Sequence, residues 1–120
     1  MRKITITIQS DTHAALLEAG EAILRAARTG KSDGDVLSFE SPEALFRAIT
    51  PTRWELLYHL QRIGATSIRG LAREMNRDVH RTHDDVSALK ERGLVSETAD
   101  GKVDVPYDVI RLELELTSAA

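Results

Sequence analysis

The chain has 120 residues and no cysteine, with 16 lysines and arginines against 19 aspartates and glutamates, a net charge of −3. That length holds one domain, or a small domain with an appendage, around one modest core; disulfides and thiolate metal sites are excluded, and the acidic balance argues against an indiscriminate polyanion binder. No apolar run approaches the ~20 residues that span a bilayer, and the first ten residues lack a secretory signal, so a soluble cytoplasmic protein without membrane association is expected.

Ile4, Ile6 and Ile8 alternate with Thr5, Thr7 and Gln9, which predicts a strand with one apolar face. Ser10 or Asp11 can cap a helix over residues 11–29, where Leu16, Leu17, Ala19, Ile23, Leu24 and Ala27 cover more than a third of the circumference. So wide an apolar surface needs cover on more than one side. Residues 30–34 read as a loop, 36–39 as a short strand, and Ser41-Pro42-Glu43 opens another short helix that ends near Ile49.

The stretch from Thr50 to Val95 is the most informative. Thr50 caps and Pro51 begins a helix whose Trp54, Leu57, Tyr58, Leu60 and Ile63 recur at helical spacing until Gly64 stops it. Trp54 and Tyr58 are expected in the core or an interface. Ser67 caps a second helix with Ile68, Leu71, Ala72 and Met75 on one stripe. A third helix over residues 77–92 buries Val79, Thr82, Val86 and Leu89, leaving Arg77, His80, Arg81, Asp84, Asp85 and Ala88 outward. Gly93 fits a left-handed cap, and residues 94–97 alternate like a half-buried strand. Asp100-Gly101 favours a tight hairpin that returns through residues 102–105. Three short helices followed by a hairpin are the pattern of a helix-turn-helix with a wing. Finally, Ile110, Leu112, Leu114 and Leu116 alternate with Arg111, Glu113 and Glu115 in a strand with one apolar and one charged face.

Charge is unevenly spread. Residues 50–92 carry eight basic and six acidic side chains, residues 1–49 six and seven, and residues 93–120 two and six. The small basic excess falls on the helical centre, where phosphate contacts would be needed.

Taken together, Leu45-Phe46-Arg47-Ala48-Ile49-Thr50-Pro51-Thr52-Arg53-Trp54, Ser67-Ile68-Arg69-Gly70-Leu71-Ala72-Arg73-Glu74, Arg77-Asp78-Val79-His80, His83-Asp84-Asp85-Val86, Gly93-Leu94-Val95 and Val105-Pro106-Tyr107-Asp108 resemble the prokaryotic MarR-like winged-helix regulators. The likeness is greatest to a group of predicted regulators often encoded beside a small toxin, and covers about residues 36–110 well. It implies a homodimeric, sequence-specific binder of double-stranded DNA that represses its own operon, without a cofactor. The expected architecture is α+β: an N-terminal strand-helix-strand dimerisation unit (1–40), a winged helix-turn-helix (41–109), and a C-terminal strand and tail (110–120) packed on the N-terminal unit. A small sheet of the strands at 4–8, 36–39 and 110–116 is expected, shared with a second chain, with Ile4, Ile6, Leu16, Ile23, Leu112 and Leu114 on the dimer face.

The third helix would enter the major groove, with Arg77 and Arg81 as candidates for guanine edges or phosphates and His80 for a base edge. Ser67 and Arg69 would hold phosphates, Arg53 and Arg73 are further phosphate candidates, and Lys102 at the hairpin tip would reach the minor groove or its backbone. Asp84 and Asp85 oppose phosphates unless they pair with Arg81 or accept from a cytosine amino group. Each of these residues also has a plainer reading as a solvated surface charge. His80 and His83 followed by Asp84 imitate a chelating edge, but no further ligand lies in sequence reach, so a His83–carboxylate contact is the preferred reading. No nucleophile elbow, phosphate loop or His-Glu-x-x-His pair is present, so a non-enzyme is expected. Two readings stand beside the regulator: an antitoxin or interaction module whose N-terminal helix or acidic C-terminal strand sequesters a toxin, and a regulator responsive to a small effector.

Overall fold

The computed structural model describes residues 1–8, 17, 20, 21, 23, 24 and 34–116. The chain is α+β, and its described elements run β1 (Lys3–Ile8), β2 (Asp35–Phe39), α1 (Pro42–Ala48), α2 (Pro51–Ile63), α3 (Ile68–Met75), α4 (Val79–Glu91), β3 (Ser96–Glu97), β4 (Val103–Asp104) and β5 (Val109–Glu113). They divide into two compact units, one of Phe46–Asp108 with Met1, the other of Arg2–Leu45 with Val109–Ala120. None of the described helices is long and apolar enough to cross a membrane.

The second unit is built on a three-stranded sheet in the order β2-β1-β5, parallel at both seams. β1 and β5 are the strands expected from the alternating residues, and β2 is the short strand expected at 36–39. Parallel neighbours cannot be joined by a hairpin and need a long crossover, and within residues 9–34 the described Leu17, Gly20, Glu21, Ile23 and Leu24 have helical backbone. The remainder of the helix expected at 11–29, including Leu16 and His13, and the tail at 117–120 lie outside the described residues.

In register, Ile4 faces Ile110, and Ile6 faces Leu37 and Leu112, so these side chains share one side of the sheet. Ile4 and Ile6 are buried within the chain itself, at 4% and 0% exposure. This corrects their expected place on a dimer face; of that set, Ile23, Leu112 and Leu114 remain exposed. β5 ends at Glu113, earlier than residue 116, because Thr7–Glu113 is its last pairing with β1.

In the first unit, α2 starts as its sequence dictates, with the Thr50 hydroxyl accepting from the Arg53 N–H and proline in the first turn. Leu56, Leu57 and Leu60 from α2 are buried, as are Leu71 and Ala72 of α3 and Thr82, Val86 and Leu89 of α4. Thr82 satisfies its hydroxyl by donating to the Asp78 carbonyl at 2.8 Å. Tyr58 is not a core residue: it is 54% exposed, its hydroxyl accepts from Arg62, and that guanidinium lies over its ring. Trp54 is half-buried, and Val79, expected on the buried stripe, is exposed at the first residue of α4.

The connection between α3 and α4 is three residues long, each used differently. Asn76 adopts the left-handed conformation (φ 53°) and its N–H closes the end of α3; asparagine tolerates that region where most side chains do not. Asp78 caps α4 by accepting from the Arg81 N–H at 3.0 Å, so the helix begins at Val79 rather than at 77. Arg77 is the residue between the two caps. After α4, Gly93 (φ 79°) turns the chain, and the buried Leu94 and Val95 lead into β3.

β3 and β4 form an antiparallel ribbon pairing Ser96 with Asp104 and Glu97 with Val103. A third strand-like contact, absent from the sequence expectations, comes from Thr66 between α2 and α3, which exchanges hydrogen bonds with Val103 at 3.1 and 2.8 Å. It fixes the ribbon to the start of α3. Gln61 donates to the Tyr107 and Asp108 carbonyls and so holds the returning chain against the end of α2.

The two caps of the α3–α4 connection make a direct prediction. Asn76→Gly will be neutral or stabilising in urea unfolding, whereas Asn76→Val will cost about 1–2 kcal/mol because a β-branched residue is strained in the left-handed region. Equal midpoints for the two variants would show that this conformation is not held.

Candidate nucleic-acid interface

Arg77, His80, Arg81 and Asp84 are all exposed along one edge of α4 and the connection before it. Two open clefts meet there. The first, about 490 Å³, is lined by Glu55, Met75, Asn76, Arg77, Asp78 and Arg81; the second, about 350 Å³, by Thr50, Thr52, Arg77, Arg81, Asp84 and Asp85. Arg77 and Arg81 border both, and the Arg77 guanidinium reaches back to α2, donating to the Thr52 hydroxyl at 3.3 Å.

Among the carboxylates around them, two are engaged internally. Asp78 is the α4 cap. Asp85 accepts from Arg53 Nε at 2.9 Å, with side chains only 19% and 22% exposed, and the same guanidinium donates to the Ala48 carbonyl at 2.8 Å. Both expectations for this pair need correction: Asp85 is turned toward α2 instead of pairing with Arg81, and Arg53 is held inside instead of offering a phosphate contact. Two positive guanidinium groups thus stay at the surface while part of the nearby negative charge is used to join helices.

Ser67, Arg69 and Arg73 are exposed on α3 but line neither cleft. The Ser67 hydroxyl accepts from the Gly70 N–H at 2.9 Å, leaving its own proton to donate outward. Gly70, quoted above only within a motif, lies beside two hydroxyls: a Cβ there would lie 2.6 Å from that of Thr66 and 3.1 Å from that of Ser67, so a larger residue would press on the side chain that caps α3. The role of Thr52 escaped the sequence reading, since nothing local indicates that the α3–α4 connection folds back to the start of α2.

Lys102 is exposed in the turn between β3 and β4, 3.8 Å from Asp100. The Thr98 hydroxyl donates to Asp100 and, with the nearby Lys102 ammonium, holds that carboxyl below its ordinary range. The contact is therefore fully present above the usual aspartate range and lost as pH falls through the lowered value, so at neutral pH Lys102 keeps an anionic neighbour. His83 is exposed inside α4, not at its boundary, and its Nδ1 lies 3.8 Å from Asp84, beyond hydrogen-bond distance. Among the described residues no three His, Asp or Glu side chains converge as a metal site.

Residues 48–112, more than half of the chain, match the family model described as HVO_A0114, and the chain belongs to that family. The match runs from the end of α1 through the ribbon into β5. No curated protein and no solved structure matches the chain.

Since Arg53 joins α1, α2 and α4 through two short charge-assisted hydrogen bonds, Arg53→Ala should lower the free energy of unfolding by about 1.5–3 kcal/mol in urea titrations. A loss below about 0.5 kcal/mol, the range of an exposed pair, would show that the pair does not hold the helices together.

Proposed function

We propose that this member of the HVO_A0114 family is a winged helix-turn-helix transcriptional regulator that binds double-stranded DNA as a homodimer and represses transcription. The observation that carries this reading is the meeting of Arg77 and Arg81 at two open clefts on the exposed edge of α4. A convex helix with basic side chains at its start fits a major groove about 12 Å wide, where arginine can pair in bidentate fashion with guanine.

The residues divide by what they can reach. His80 and Arg81, in the first turn of α4, are placed for base edges. Arg77, drawn toward Thr52, is better suited to a phosphate at the groove margin. Ser67, Arg69 and Arg73 on α3 supply further backbone contacts, and Lys102 carries the ribbon tip to the adjacent minor groove or its phosphates. Asp84 accepts from a cytosine amino group and so penalises other bases at that position. A second reading, an antitoxin-like module that sequesters a basic partner protein, is favoured by the six acidic against two basic residues of 93–120.

Gel-shift titration against the DNA upstream of its own reading frame and a scrambled duplex, at two salt concentrations, tests the proposal. Selective retardation that weakens with salt is expected. Arg81→Ala will lose about 1–3 kcal/mol of binding and relax preference at one base position. Arg77→Ala will weaken both duplexes alike and reduce the salt slope by about one. Absence of selectivity at either salt, with folding intact, would favour the sequestering module.

A further inference from the structure

We propose that the outer edge of β5 is the seam between two copies of this chain, paired antiparallel about Leu112 so that the two three-stranded sheets become one of six strands. The Val109 N–H donates to the Arg2 carbonyl, and backbone direction alternates along a strand. The N–H and C=O groups of Val109, Arg111 and Glu113 thus turn to β1, and those of Ile110, Leu112 and Leu114 turn the other way. Among the described residues no strand takes up that second set. Leu112 and Leu114 are 39% and 40% exposed, and Leu116 is 85% exposed. The alternation of leucine and glutamate runs on to residue 116, past the point where β1 can pair with it.

The occupant is chosen by charge and register. Arg111 and Glu113 lie side by side on one face, 3.8 Å apart, while Ile110 and Leu112 share the face of the buried Ile4 and Ile6. Antiparallel pairing centred on Leu112 sets Arg111 opposite the partner's Glu113 twice, Ile110 opposite the partner's Leu114 twice, and Leu112 opposite itself. Moving the centre back by one residue opposes Arg111 to its own copy, and moving it forward by one opposes Glu113 to its own copy. Centring on Leu114 sets Glu113 against the partner's Glu115. The Leu112-centred register gives three apolar pairs on one face and two opposite-charge pairs on the other with no like charges opposed, whereas the Glu113-centred one, although it also opposes Arg111 to the partner's Glu115, sets Glu113 against its own copy; the Leu112-centred register joins the outward-facing backbone groups as hydrogen-bonded pairs. The other outer strand, β2, has the sequence DVLSF, and its one charged side chain, Asp35, lies 3.5 Å from Arg2 of the same chain.

The inference rests on the two-copy part of the proposed function and not on its DNA contacts. Its test is the mass in solution of the full chain and of Arg111→Glu and Glu113→Arg, alone and mixed in equal amounts. The unaltered chain should be a dimer. Each variant alone sets like charges across the seam twice and should self-associate on the order of tenfold more weakly. Mixing them restores both cross-chain pairs while leaving like charges within each strand, so a heterodimer should form. A repair confined to the double variant Arg111→Glu with Glu113→Arg would assign the effect to the pair within one strand and overturn the seam. A second measurement uses the absence of native cysteine: under mild oxidation Leu112→Cys should crosslink to its copy, since hydrogen-bonded antiparallel partners sit about 5.5 Å apart at Cα, within disulfide reach. Arg111→Cys should not. A dimer with no crosslink at 112 and no effect of charge reversal would discard this seam but retain the two-copy reading; a monomeric chain would discard both.

Discussion

One side chain sets the geometry of the helical unit. Arg53 extends from the first turn of α2 to Asp85 on α4 and to the carbonyl that ends α1, and these are charge-assisted contacts in a half-buried setting where they count for more than at the open surface. The pair fixes how far α4 is turned about its own axis. Residues one turn apart share a face, so Arg81, one turn before the half-buried Asp85, lies exposed on the same edge and borders the cleft that Asp84 and Asp85 also line. The three-residue connection, closed by Asn76 on one side and Asp78 on the other, then leaves Arg77 beside Arg81. Clustered positive charge in an acidic protein follows from where its carboxylates are used, more than from how many there are.

The same economy governs the ribbon. Val103 is buried and bridged to Thr66, so the turn that carries Lys102 is anchored at the start of α3 through backbone bonds rather than through its own two-residue strands. Such short strands would not hold a hairpin alone. Gly70 allows the arrangement by leaving room for the Thr66 and Ser67 hydroxyls.

Much of this was legible in the residues. Alternation located β1 and β5, and Thr50, Ser67, Gly64 and Gly93 marked helix ends by chemistry that acts within a few residues. What was not legible depends on contacts between distant parts. No local signal shows that the strands run parallel, that Asp85 belongs to Arg53 thirty-two positions away, or that Arg77 reaches Thr52. Tyr58 and Val79 fell on apolar stripes but lie at the margins of the faces that neighbours cover. Ile4 and Ile6 were apolar enough for an interface, yet a central strand needs such residues for its own core. Arg77 and Arg81 stood out from the sequence through helical spacing alone; their position between two clefts came from the fold.

The most direct measurement of the proposed recognition at the outer edge of α4 is to follow backbone amide resonances of the isotopically labelled chain during titration with a short duplex from its own upstream region. The prediction is that changes concentrate at residues 77–84, with a second group at 98–102, while the strands β1 and β2 keep their positions. Changes centred on residues 109–116 that leave 77–84 unmoved would contradict it.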